Sequence, residues 1–119
     1  MNVETLSKQL TDVAVVEKYG KGFVVRTSFC ATATGEPVVV GILEEAKDRL
    51  LLTDFGFVAE FLQKNKKDLD EVFPIVTKIA GKYDAEWLDD ELFCYCDTKD
   101  AADNFANMVK AMLEIEALE

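Results

Sequence analysis

Six consecutive residues, Val38-Val39-Val40-Gly41-Ile42-Leu43, leave this chain little choice of architecture. Successive side chains on a strand point to opposite faces, so this run is apolar on both. A strand of that kind belongs in the middle of a sheet with cover on both sides, and Val38, Val39, Val40 and Ile42 are all expected to be largely buried. Its neighbours read as strands too. In Gly22–Phe29, the residues Phe23, Val25, Thr27 and Phe29 alternate with more polar ones, and Arg49–Thr53 is a third apolar run. Small residues at 31–37 and the charged stretch Glu44–Asp48 join them. Connections this short favour an antiparallel three-stranded meander with the valine-rich strand at its centre.

The flanking segments have helical spacing. Val3, Leu6, Leu10 and Val13 fall on one face, which predicts a helix at about 3–18, stopped by Gly20 and Gly22. After the meander, Val58, Phe61 and Leu62 share a face. Asp68 then caps a helix whose buried side is Leu69, Val72, Phe73, Val76, Ile79 and Ala80. Pro74 should kink that helix or delay its regular part to about Phe73, and Gly81 should end it. Glu86–Leu88 and Leu92–Cys96 are strand-like, with Asp89-Asp90-Glu91 as the turn between them. A last helix from about 99 to 117 carries Phe105, Met108, Val109, Met112 and Ile115 as its apolar stripe, with Asp97 or Thr98 as cap. The expected fold is a single α+β domain over residues 1–119: an N-terminal helix, a three-stranded antiparallel meander, two helices, two short strands, and a C-terminal helix packed on the sheet.

Composition removes several chemistries. There is no histidine, so Ser-His-Asp and Cys-His catalysis are excluded and acid–base work would fall to carboxylates, lysine or tyrosine. The three cysteines, Cys30, Cys94 and Cys96, do not make a four-ligand zinc set, and they read as reduced, small apolar residues. No cofactor and no metal site is expected. No apolar run reaches the about 20 residues of a membrane-spanning helix, and MNVETLSKQL has neither a basic start nor a signal core, so a cytoplasmic protein is the default reading.

Charge is unevenly placed. Residues 1–83 hold 11 basic and 12 acidic side chains, a net of −1; residues 84–119 hold 2 basic and 11 acidic, a net of −9. Phosphate contacts need clustered Lys and Arg, which disfavours direct binding to nucleic acid or to an anionic membrane.

The stretch LLLTDFGFV (Leu50–Val58) contains the Asp-Phe-Gly of protein kinases. A kinase also needs a glycine-rich loop over the phosphates, a strand lysine and a His-Arg-Asp loop, and the chain has none of these in order. The local reading is a strand-to-helix turn. Asp54 ends the strand and should accept a hydrogen bond from the N–H of Gly56 or Phe57, while Gly56 supplies positive φ.

Two further groups merit weighing. Glu45-Ala46-Lys47 matches half of a magnesium-dependent nuclease site, for which several of Glu36, Glu44, Glu45, Asp48, Asp54 and Lys47 would have to gather round one cleft; in a hairpin turn it reads as solvated charge. The acidic run Asp84-Ala85-Glu86-Trp87-Leu88-Asp89-Asp90-Glu91 can be a solubilising face with Trp87 in the core. It can also be a partner surface with Trp87 as anchor, or a nucleic-acid mimic whose carboxylates occupy phosphate positions on a basic protein. Met108 and Met112 read as core, with a homodimer seam as the other reading.

Three places resemble a bacterial and phage family known as a domain of unknown function: Thr27-Ser28-Phe29, the turn Leu52-Thr53-Asp54-Phe55-Gly56, and the run from Leu92 through the helix with Phe105, Met108 and Met112. Together they span about residues 22–118. Ser28 stands where the family often has proline, and Phe55 where it shows a second aspartate. The resemblance implies carriage by phages or other mobile elements and brings no catalytic residue. The combined expectation is a small acidic, non-enzymatic protein-binding module with a basic partner contacted through Asp84, Glu86, Trp87, Asp89, Asp90 and Glu91. A magnesium-dependent carboxylate hydrolase or nuclease is the runner-up.

Overall fold

In the computed structural model, residues 14–20, 22–30 and 37–118 are described. Their elements are β1 (Ala14–Tyr19), β2 (Gly22–Cys30), β3 (Pro37–Ala46), β4 (Arg49–Thr53), α1 (Phe57–Lys64), α2 (Leu69–Lys82), β5 (Glu86–Leu88), β6 (Glu91–Asp97) and, after a 3-10 turn at Thr98–Asp100, α3 (Ala101–Glu116). The strands form one six-stranded antiparallel sheet in the order β1-β2-β3-β4-β6-β5. With three helices, the described residues make an α+β fold.

The expected meander is present as β2-β3-β4, with the valine-rich strand paired on both sides. It is larger than expected at both ends. Residues 14–18 of the expected N-terminal helix are strand: Val16 faces Val25 and Lys18 faces Phe23 in an antiparallel pair turned through Gly20 at φ 56. Two valines followed by Glu, Lys and Tyr suit a pleated, half-buried surface, and pairing with β2 overrides the helical spacing. The rest of that expected helix, 3–13, lies outside the described residues. At the other end, β6 inserts between β4 and β5, so the two late strands extend the same sheet.

α2 is helical from Leu69, ahead of Pro74, and continues through Gly81 to Lys82. Asp68 caps it, accepting from the N–H groups of Asp70 at 2.9 Å and Glu71 at 3.4 Å. Packing of Leu69 and Val72 before the proline and of Val76, Ile79 and Ala80 after it holds the turns on either side. The last helix begins at Ala101, two residues later than expected, because Thr98–Asp100 tightens into the 3-10 turn.

The described helices gather on one face of the sheet. α3 lies across β3, β4 and β6, with α1 and α2 beside it and α2 against β5. Val25, Val40, Ile42, Leu52, Leu92, Phe105, Met108 and Met112 are fully buried between the layers. Val38 and Ile42 belong to this core, whereas Val39 and Leu43, on the opposite parity, are only half-buried. The expectation that Val39 is largely buried with the other three is therefore corrected. Where Gly41 offers no side chain, the Phe55 ring folds back over the sheet; a Cβ on Gly41 would lie 2.2 Å from it.

Candidate functional site

The strand β4 ends in a closely bonded turn. The Asp54 side chain is fully buried. Its Oδ1 accepts from the N–H of Gly56 at 2.8 Å and of Leu92 at 3.1 Å, and its Oδ2 accepts from the N–H of Val58 at 3.0 Å. The Asp54 N–H donates to the Leu92 carbonyl at 3.0 Å. Next to it, the Thr53 hydroxyl accepts from the Phe55 N–H at 3.0 Å and donates to Oε2 of Glu91. Phe55 and Gly56 both take left-handed backbone, at φ 56 and 78, which turns the chain from strand to helix within two residues. Burial pushes the Asp54 carboxyl up to about 6, against the three backbone donors and with added repulsion from Glu91.

This turn fixes the start of β6 and so the hairpin that carries the acidic run. Leu88 pairs with Glu91 across Asp89 and Asp90, which have φ 51 and 61. Two successive left-handed residues make a type I′ turn, whose twist matches that of the strands. Neither is glycine, so the turn is strained. Asp90→Gly is expected to raise stability by about 0.5–1 kcal/mol, read as a higher urea midpoint with unchanged slope.

The hairpin splits the expected partner residues. Asp84, Glu86, Asp89 and Asp90 are exposed. Glu91 is half-buried and tied to Thr53. Trp87 is buried on the core side opposite Leu92 and cannot serve as a surface anchor. Its neighbour Leu88 is the exposed apolar residue of β5, at 60%. On the same face as Leu88, the rings of Phe93 and Tyr95 meet edge to face with centroids 6.0 Å apart, and the Arg49 guanidinium lies 4.7 Å from the Tyr95 centroid. Sequence reasoning passed over Leu88, Phe93 and Tyr95. The alternation in Leu92–Cys96 is their signal, since it sets the two rings opposite Leu92 and Cys94, which the core takes.

The residues of the nuclease reading are not brought together. Glu44, Glu45, Lys47 and Asp48 are exposed around the β3–β4 turn, Asp54 is buried at the far end of β4, and Glu36 lies outside the described residues. Among the described residues, no three His, Cys, Asp or Glu side chains are grouped to hold a metal ion. Cys94 and Cys96 are unbridged, and burial pushes their thiols up to about 12 and 11. Met108 and Met112 are both buried in the core, as the first of the two readings expects. No described helix is long and apolar enough to cross a membrane.

One family model, a domain of unknown function, DUF1828, matches residues 27–115. Comparison with curated proteins and with solved structures returns no match.

Proposed function

This chain belongs to the DUF1828 family, and we propose that it is a non-enzymatic module that binds another protein through the β5–β6 hairpin. The observation that carries the reading is the exposed Leu88 set among the exposed carboxylates of Glu86, Asp89 and Asp90 on one short hairpin. An apolar contact framed by like charge suits a partner whose surface is basic: the charge steers encounter and the apolar residue slows departure. The resemblance at Thr27–Phe29 and Leu52–Gly56 supports a setting in phages or other mobile elements.

The test is capture from lysate of the source cell, with the wild type and with Glu86→Lys/Asp89→Asn/Asp90→Asn. Asparagine tolerates left-handed backbone, so these changes remove charge without breaking the turn. Capture should weaken at least about tenfold in the variant, and in the wild type as the Debye length falls from about 30 Å at 0.01 M salt to about 8 Å at 0.15 M. Capture that is indifferent to both salt and variant would mean the hairpin is not the contact.

A further inference from the structure

Resting on the protein-binding reading, we propose that the face of β5 and β6 turned away from α1, α2 and α3 docks a basic segment of another protein. Apolar side chains of that segment seat on Leu88, Phe93 and Tyr95, and its Lys or Arg side chains meet Glu86, Glu91 and Asp97. The sheet register places these six together. Glu91, Phe93, Tyr95 and Asp97 are alternate residues of β6 and share its face, and Glu86 and Leu88 stand opposite Phe93 and Glu91 on β5. On this strip apolar and carboxylate side chains alternate, with Glu91 beside Leu88, Glu86 beside Phe93, and Asp97 beyond Tyr95. Leu88 is 60% and Tyr95 46% exposed, so two large apolar side chains stand in water on this face, with Phe93 between them.

Charge complementarity chooses the occupant. Asp89 and Asp90 stand at the tip of the same hairpin, and residues 84–119 carry a net −9. A second copy would bring the same carboxylates against these, and nucleic acid or an anionic membrane would be repelled. A guanidinium is already held by this surface: Arg49 lies over the Tyr95 ring at 4.7 Å. The platform is stiff, because Glu91 is bonded to Thr53 and the turn is a two-residue one, so little ordering is required when a ligand arrives.

The test uses two short synthetic peptides of equal positive charge, one alternating Arg with Leu and Trp, the other with Ala in place of Leu and Trp. Binding is followed by calorimetry and by amide shifts of the full chain. The apolar-bearing peptide should bind about tenfold tighter and shift the amides of residues 86–97. Its advantage should vanish in Leu88→Ala and Tyr95→Ala, both surface changes that leave the fold intact, and Glu86→Gln/Asp97→Asn should weaken both peptides. Equal affinity for the two peptides, or shifts centred elsewhere, would overturn the proposal. A concentration-dependent dimer in sedimentation, abolished by the same two alanine variants, would overturn it in favour of a second copy. If both peptides bind equally yet lose affinity in the hairpin charge variant, this docking mode fails while the acidic-hairpin reading stands.

Discussion

Asp54→Ala is expected to destabilise the protein by about 2–4 kcal/mol at neutral pH, more than an exposed cap would cost, because two buried N–H groups and one half-buried one lose their acceptor at once. The loss should also depend on pH. The native carboxyl, pushed by burial from 3.8 to about 6, holds its proton more tightly than the unfolded one. Stability from this group is therefore full below about pH 4 and falls as pH rises to about 6, by up to about 3 kcal/mol at 1.36 kcal/mol per pH unit. The gap between wild type and Asp54→Ala should be wider at pH 4 than at pH 7. Urea denaturation at both values decides it. A gap that widens toward pH 7 would show that the three donors outweigh burial and hold the carboxyl down.

Trp87→Ala should cost about 3–5 kcal/mol, whereas Leu88→Ala, one residue on, should stay within about 0.5 kcal/mol. The difference arises from a strand's two-sided geometry: Trp87 fills the core opposite Leu92, and Leu88 faces water. Thermal and urea unfolding of the two variants measures both. A Trp87→Ala protein that keeps stability within about 1 kcal/mol would remove Trp87 from the core and return it to the surface as a contact residue.

How much of this was legible in the residues follows from the range of each interaction. The bond from Gly56 to Asp54 spans two residues, and local chemistry predicts it. The bonds that tie Asp54 to Leu92 and Thr53 to Glu91 span 38 residues each and leave no local signal. The same limit applies to the sheet. Apolar runs mark β2, β3 and β4 as strands, but nothing near Leu92–Cys96 says that it lies beside β4. Val15 and Val16 fit a helical stripe and a strand equally, and only pairing with β2 decides. The apolar parity of Val39 and Leu43 suggested a second covering layer, because a sequence cannot say which side the helices choose.

The strand order has a consequence for the chain as it is being made. β1 to β4 form consecutive hairpins and can assemble as they emerge, but the next place in the sheet is reserved for β6, which ends at Asp97. Until those residues leave the ribosome, β4 is an unpaired edge, and the faces of Leu50 and Leu52 stay open until α3 has followed them. A nascent chain stalled short of Asp97 therefore displays a sticky apolar ribbon, and chaperone engagement should concentrate in that interval of synthesis.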